Sequence, residues 1–159
     1  MPDRVVQLDY GAEKRQGTVQ EHELGDRAEL RDGRIFHYVF MDGAVTSGKL
    51  LQTAANVADH DMDLVTAVAA IGATTVTVTL GATLVSLDQY KDGYLYTNDD
   101  VGEGQLYKIG AHAAVAASGS FVVPIRDEGG VRTALTAASL TGLMINPFKD
   151  VVVAPTTFT

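Results

Sequence analysis

Residues 72–109, GATTVTVTLGATLVSLDQYKDGYLYTNDDVGEGQLYKI, decide the fold that we expect for this chain. From Thr75 to Leu80, apolar residues alternate strictly with threonine, so that Val76, Val78 and Leu80 share one face. A period of two is typical of a strand with one buried face, and valine and threonine both favour extended backbone. The segment therefore predicts a β-strand whose valine face belongs to a core.

Two further strands are predicted within the same stretch. Asp92-Gly93 is a strong turn signal, because glycine adopts positive φ without steric cost, and a strand follows at residues 93–97. The polar loop 98–104 then leads to a third strand at residues 105–109. Three strands with two polar connections predict an antiparallel β-meander.

Short strands are also predicted along most of the remaining chain. They cover residues 34–41, 49–52, 64–70, 121–125, 132–137, 140–145 and 149–154. Residues 64–70 also fit a helical stripe, but their shortness favours a strand that forms a hairpin with residues 75–80. Pro124 predicts an edge position for its strand, since proline cannot donate to a ladder. Residues 111–119 are either one helical turn or a loop.

The expected fold is all-β, an antiparallel β-sandwich or barrel of roughly nine to eleven short strands. The 159 residues suffice for one domain, or one domain with an arm. We expect an extended N-terminal arm at residues 1–20 and a single β-domain at residues 21–159. Within the arm, Val6, Leu8 and Tyr10 alternate, which favours a segment that grips a partner or adds a strand to a neighbour. The alternative is a frayed terminus.

Composition excludes several classes of protein. Because cysteine is absent, the chain has no disulfide, thiolate nucleophile or zinc-thiolate site. The formal net charge is −8, and residues 50–159 hold 5 basic and 11 acidic residues, a net of −6. Such a surface repels nucleic acid and anionic lipid, so we expect neither as a partner, although acidic charge also simply favours solubility. The sequence shows no signal peptide and no apolar run of about 20 residues.

The strand at residues 34–41 carries apolar residues on both faces. Phe36, Tyr38 and Phe40 share one face, and Ile35 lies on the other together with His37. Two apolar faces predict a central strand or a strand at a subunit contact. A lone histidine on such a face is more often a satisfied core residue than a ligand.

Two acidic segments are the candidate sites for chemistry. Residues 59–63, DHDMD, resemble the start of a calcium loop, but they lack the glycine and distal glutamate of an EF-hand, which favours a solvated turn. In the loop 98–104, Asp99, Asp100 and Glu103 are weak candidates for a metal site or a glycosidase pair, while a self-bonded polar turn is the simpler interpretation. No other catalytic motif is present, and we expect neither enzymatic activity nor a cofactor.

The sequence resembles a known family of virion proteins. The segments GATTVTVTLGAT, YKDGYLYTNDDVGEGQLYKI and NPFKDVV, within residues 25–154, are similar to those of small capsid decoration, or cement, proteins of tailed bacteriophages. The similarity consists of β patterning and turn glycines, and the family supplies no catalytic residue. It implies a structural virion protein that is made in the host cytoplasm and binds the outer capsid surface. The implied partner is the major capsid protein, and the expected oligomer is a homotrimer.

Two sets of residues are the expected interface, because they combine apolar character with predicted exposure, and the alternative for either set is a place in the core. They are Val6, Leu8 and Tyr10 of the arm, and Phe36, Tyr38 and Phe40 of the two-faced strand. The alternative function is a carbohydrate- or receptor-binding β-module of a phage head or tail fibre. Tyr90, Tyr94 and Tyr96 would then stack on sugars, but the absence of tryptophan, a strong sugar stacker, counts against it.

Overall fold

The computed structural model describes residues 5–46 and 48–155, which form an almost entirely β structure. Its eleven strands confirm the expected class and number. The strands are β1 (Val6–Leu8), β2 (Arg27–Leu30), β3 (Ile35–His37), β4 (Leu51–Gln52), β5 (Leu64–Val65), β6 (Thr75–Thr79), β7 (Tyr94–Asp99), β8 (Leu106–Lys108), β9 (Ser120–Pro124), β10 (Leu140–Met144) and β11 (Val152–Val153). One 3₁₀ helix, Ala12–Lys14, follows β1. No helix within the described ranges has the length and hydropathy needed to cross a membrane.

The described residues form two compact units. Residues 55–146 make up the central unit, and the described residues up to 54 join residues 147–155 in the N-terminal unit. This division differs from the expected arm followed by one domain. Residues 5–20 share a unit with the residues after them, because β1 pairs in register with β2, with Val6 opposite Ala28.

The central unit contains two antiparallel sheets. One has four strands in the order β5-β10-β7-β8, and the other pairs β6 with β9. The predicted meander is therefore wrong in its first half: the β7–β8 hairpin forms, but β6 pairs with β9, with Val78 opposite Phe121. The chain between β6 and β7 pairs instead with the chain between β8 and β9, because Val85 and Val115 exchange both of their backbone hydrogen bonds, at 2.9 and 2.8 Å.

The two sheets of the central unit enclose one apolar core, in the manner of a sandwich. Val76 and Val78 of β6 are buried, as their alternation with threonine predicts, and they join Leu95 of β7 and Leu143 of β10. None of the sheets in the described part of the chain closes on itself as a barrel. The core thus includes the valine face of β6, which is the face that the alternation in the sequence predicts most clearly.

Several short strands of the central unit differ from the sequence expectation. In the segment 64–70 only β5 is a strand, although the backbone bridge between Thr66 and Val78 supports the expected antiparallel pairing with β6. Residues 132–137 contribute a single bridge, Ala69 to Leu135, instead of a strand. Residues 111–119 form a loop. Pro124 ends β9, which within the described ranges forms a ladder with β6 alone, and this confirms the predicted edge position.

The N-terminal unit contains a three-stranded sheet in the order β1-β2-β3 and a small ladder of β11 with β4. β1 runs parallel to β2, and β3 runs antiparallel to it. Of the two expectations for residues 34–41, the central strand is wrong, because β3 lies at the edge of this sheet and Ile35 is 51% exposed, while a strand at a subunit contact stays a prediction. After β3 the chain leaves this sheet and hydrogen-bonds to the segment that contains Phe148. The amide of Phe40 donates to the carbonyl oxygen of Phe148 at 2.8 Å.

Candidate functional site

The three-stranded sheet of the N-terminal unit has one apolar face. The register places Val6 opposite Ala28 and Ala28 opposite Phe36, so that these side chains project from the same side. Leu8 and Leu30 form a second row on that side. Leu30 is buried, whereas the other four residues are only half-buried. The face is therefore partly open.

The other face of this sheet is mainly polar. Gln7 lies opposite Glu29 and Arg27 lies opposite His37, while Ile35 is the one large apolar side chain there. His37 is exposed; its Nδ1 contacts the carbonyl oxygen of Gly25 at 3.0 Å. The interpretation of His37 as a core residue is therefore wrong, although the ring is satisfied. The contrast between the faces makes the sheet amphipathic.

The connection between β1 and β2 encloses a cleft on the apolar face. Residues 12–22 form one wall of this cleft, which has a volume of about 470 Å³. Tyr38 fastens that wall: its hydroxyl accepts a hydrogen bond from the amide of Glu21 at 3.1 Å and lies 3.5 Å from the carbonyl oxygen of Val19. The ring of His22 meets the Tyr38 ring edge-on, with centroids 5.3 Å apart. We call this space the N-terminal cleft.

Acidic side chains dominate the charge of the N-terminal cleft. Among the residues that the structure describes, Glu13, Glu21 and Asp26 line it together with one cation, Arg15, which gives this lining a net charge of −2 if histidine is neutral. The carboxylate of Glu13 accepts a hydrogen bond from the amide of Gly11 at 2.6 Å, and that of Asp26 accepts one from Glu23 at 3.2 Å. The cleft thus combines an apolar floor with an acidic rim. It suits an apolar group that carries positive charge.

The structure brings together four of the six predicted interface residues. Val6, Leu8, Phe36 and Tyr38 all line the N-terminal cleft. Tyr10 does not line it; its side chain is 64% exposed.

Phe40 also lies outside the lining and is half-buried. The sequence missed the acidic rim of Glu13, Glu21 and Asp26. In the sequence these three residues belong to a run of mixed charges, and that run does not indicate that the connection folds over the sheet.

The acidic loop between β7 and β8 bonds to its own backbone. The amide of Asp100 donates to the carboxylate of Asp99 at 2.8 Å, and the amide of Val101 donates to the carboxylate of Asp100 at 2.5 Å. The amide of Glu103 donates to the carbonyl oxygen of Asp100 at 3.0 Å. Asp100 has φ of 62°, a conformation that aspartate tolerates in turns. The geometry is that of a polar turn.

The segment 59–63 directs its side chains to separate partners. The carboxylate of Asp59 accepts a hydrogen bond from the hydroxyl of Thr83 at 2.5 Å, and that of Asp63 accepts one from the side-chain amide of Asn98 at 2.7 Å. His60 is fully buried. In the part of the chain that the structure describes, no three His, Cys, Asp or Glu side chains are grouped so that they could hold a metal ion.

A buried tyrosine joins two histidines inside the central unit. The Tyr90 hydroxyl lies 2.7 Å from Nδ1 of His60, and the Tyr90 amide donates to Nε2 of His112 at 3.0 Å. Nε2 of His60 lies 3.0 Å from the carbonyl oxygen of Thr83, so that nitrogen carries the proton and Nδ1 accepts from Tyr90. Burial raises the pKa of Tyr90 well above its ordinary value, and the charge of Asp61 adds to this shift. Because the polar atoms of this cluster are hydrogen-bonded to other atoms of the protein, we interpret the cluster as structural.

The three clustered tyrosines have different environments. Tyr90 is fully buried and has no face available for a sugar. The Tyr96 hydroxyl donates a hydrogen bond to the carbonyl oxygen of Asp61, and burial followed by the charges of Asp61 and Asp63 raises the Tyr96 pKa. Tyr94, on the same face of β7, is half-buried. A stacking platform built from all three rings is therefore absent.

Comparison of the chain with protein-family models, with curated proteins and with solved structures finds no match.

Proposed function

We propose that this chain is a structural virion protein that binds the outer surface of an icosahedral phage head and stabilises it as a decoration protein. The resemblance of residues 72–109 and of NPFKDVV to capsid decoration proteins motivates the proposal. The observation that carries it is the partly open apolar face formed by Val6, Leu8 and Phe36. An open apolar face on a small sheet is typical of a protein that works in an assembly.

Exposed apolar side chains elsewhere support an assembled state. In the central unit Val68, Ile71 and Leu87 are each at least 70% exposed. Single exposed apolar residues are ordinary, whereas a contiguous patch of them marks an interaction surface. We infer that some of them lie in contacts between copies of the protein. A homotrimer is the expected oligomer, because in a closed ring every copy has its contact surface covered by a neighbour.

Charge distribution supports a location away from packaged DNA. The central unit, residues 55–146, contains 4 basic and 10 acidic residues, a net charge of −6. Such a unit is repelled by nucleic acid, which favours the outer surface of the head over the inner surface. The partner there is the major capsid protein.

The proposed mechanism is stabilisation by mass action. A protein that binds only the assembled shell lowers its free energy by RT ln(1 + [L]/Kd) per site, about 2.7 kcal/mol at a concentration of 100 Kd. An oligomer that bridges several capsomers gains further through effective concentration. Neither term requires a catalytic group or a cofactor.

The experiment that tests this function heats purified phage heads with and without the added protein. We expect the protein to raise the temperature at which heads release their DNA, in proportion to the sites occupied. Light scattering on a sizing column supplies the oligomeric state, for which we expect three copies. An unchanged release temperature at saturating protein would refute the stabilising role.

The carbohydrate-binding alternative has less support. Of its three tyrosines, Tyr90 is buried and the Tyr96 hydroxyl is already bonded, which leaves Tyr94 alone. A single half-buried tyrosine is a poor sugar platform. A glycan array on the isolated protein tests the alternative directly, and specific micromolar binding would favour it.

A further inference from the structure

Four short segments of the central unit share one local structure. In each of them the carbonyl oxygen of the third residue accepts a hydrogen bond from the amide of the sixth, at 3.0 to 3.2 Å. In three of them the fifth residue, which is Gly72, Asp88 or Ser118, has a positive φ. We call them the turn segments; they are 68–73 (VAAIGA), 84–89 (LVSLDQ), 114–119 (AVAASG) and 134–139 (ALTAAS).

The turn segments pair two by two through their second residues. Ala69 and Leu135 exchange both of their backbone hydrogen bonds, at 3.1 and 2.8 Å, as Val85 and Val115 also do. In all four segments the second residue is buried or half-buried, whereas the first, third and fourth residues are exposed. Because side chains alternate between the two faces of an extended pair, each pair of segments has an inward side and an outward side.

Each outward side is an apolar patch. None of its exposed residues, at the first, third and fourth positions, is charged. One segment of each pair supplies two bulky aliphatic side chains, which are between 55 and 75% exposed, and the other supplies two alanines at the same positions. In patch 1 these residues are Val68, Ile71, Ala134 and Ala137, and in patch 2 they are Leu84, Leu87, Ala114 and Ala117. The two patches therefore have the same construction.

The two patches lie at opposite ends of the ladder between β6 and β9. The turn of patch 1 at residues 70–73 ends just before β6, and the turn of patch 2 at residues 116–119 ends just before β9. Since β6 and β9 are antiparallel, the starts of these strands are at opposite ends. The amide of Leu80, just after β6, donates to the carbonyl oxygen of Gly119 at 3.0 Å, which holds patch 2 at the far end. The length of the ladder separates the patches by about 17 Å.

A second copy of the chain is the partner that this arrangement favours. The central unit contains 4 basic and 10 acidic residues, a net charge of −6, so copies repel each other except where their facing surfaces carry no charge. The two patches are surfaces of that kind, and the core of an interface is depleted of charged residues. The patches also complement each other in shape, because the bulky pair of one fits over the alanine pair of the other.

We infer that copies of this chain bind each other through a contact in which patch 1 of one copy lies on patch 2 of the next. The bulky side chains of each patch then pack on the alanines of the other, and three such contacts close a ring in which every patch is covered. The choice of unlike patches rests on the proposed function, because a cyclic trimer has no twofold axis that could join like patches. The contact itself can be tested without phage heads.

The first test places one carboxylate in each patch. Ile71→Glu changes patch 1 and Leu87→Glu changes patch 2, and both wild-type side chains are 70% exposed, so the fold of the single chain does not depend on them. Met62→Glu makes the same change at a residue that is 57% exposed and lies outside both patches. By light scattering on a sizing column we expect three copies for the wild type and for Met62→Glu. We expect one copy for each patch variant, because the contact would bury an unpaired charge.

Mixing the two patch variants tests whether unlike patches meet. Ile71→Glu keeps an intact patch 2, and Leu87→Glu keeps an intact patch 1. An equimolar mixture should therefore form a dimer with one copy of each variant, and this dimer cannot grow because both of its outer patches are altered. A single contact lacks the effective concentration of a ring, so the mixture is measured at about 100 μM.

Several outcomes would overturn the inference. They are a monomeric wild type, three copies in either patch variant, a dimer formed by one patch variant alone, a mixture that stays monomeric, or an equal loss of assembly in Met62→Glu. Val68→Glu and Leu84→Glu repeat the experiment at the other bulky residue of each patch. Circular dichroism identifies any variant that does not fold, so that the result is read from the folded variant of each patch.

Co-sedimentation with purified phage heads that lack the protein separates this inference from the proposed function. If wild-type protein sediments with the heads and the mixed variants dimerise, both stand. If wild-type protein sediments with the heads but the mixture stays monomeric, the inference fails and the proposed function remains. If the mixture dimerises but wild-type protein stays in the supernatant, the contact between the patches stands and the proposed function fails.

Discussion

The hydroxyl of Tyr90 donates a hydrogen bond of 2.7 Å to Nδ1 of His60 at a point where both side chains are fully buried. The same tyrosine uses its backbone amide to reach His112. One residue thus joins the segment before β5 to the loop before β9. Because a buried polar atom without a partner is costly, this connection specifies how the central unit packs.

Removing the Tyr90 hydroxyl should destabilise the central unit. In Tyr90→Phe, Nδ1 of His60 keeps its buried position and loses its donor, so we expect a loss of about 1–3 kcal/mol in the free energy of unfolding. Urea denaturation at pH 7 measures it. Tyr94→Phe is the control, since that ring is half-buried, and it should change stability much less. Equal losses in both variants would contradict the assigned hydrogen bond.

Alkaline pH should destabilise the native protein through the same residue. Burial raises the pKa of Tyr90 above its ordinary value of 10.0, so the folded state retains the proton more strongly than the unfolded chain does. The resulting stabilisation is fully present below about pH 10 and is lost as pH rises toward the folded-state pKa. Tyr90→Phe should therefore show a shallower fall in stability between about pH 9.5 and 11.5 than wild type. An identical slope in both proteins would show that Tyr90 does not contribute.

The ion pair between Arg126 and Asp92 should matter more than the exposed pairs. The Asp92 side chain is 2% exposed, and Arg126 is the cation beside it. Arg126→Met leaves a buried carboxylate without its cation, and we expect a loss of about 3 kcal/mol. Arg34→Met removes the partner of Asp32 at the surface and serves as the control, with little change expected. Thermal unfolding of both variants separates the two cases, and equal midpoints would contradict the importance of burial.

Two adjacent glycines provide a test of close packing. Both have positive φ, 86° at Gly129 and 66° at Gly130, but only at Gly130 would a Cβ overlap the carbonyl oxygen of Ala73. Gly129→Ala should cost about 1 kcal/mol from backbone strain alone. Gly130→Ala adds a clash with backbone and should cost at least about 2 kcal/mol. Chemical denaturation of the two variants measures the difference, and a smaller loss for Gly130→Ala would show that the turn can move.

The sequence predicts the fold best where local patterning and burial agree. The alternation of Val76 and Val78 with threonine marks β6 and its buried face, and Pro124 marks an edge. Pairing depends on contacts distant in the chain. The turn at Asp92-Gly93 predicts β7 correctly, yet it contains no information that β6 pairs with β9.

The candidate site is predictable only in part, for a related reason. Val6, Leu8 and Phe36 are recognisable from their alternation and apolar character. Their convergence requires β1 to pair in parallel with β2 across 18 intervening residues, and short-range patterns do not indicate this. The acidic rim depends on where that connection folds, so Glu13 and Glu21 gain their role only from the tertiary structure.

The most direct measurement of the central claim is co-sedimentation of the purified protein with phage heads that lack it. The proposed function predicts saturable binding, with the bound copies in a fixed ratio to the capsid protein and in multiples of three. It also predicts that heads carrying the protein withstand a higher temperature. Protein that stays in the supernatant at every concentration, while the heads remain intact, would contradict the assignment as a decoration protein.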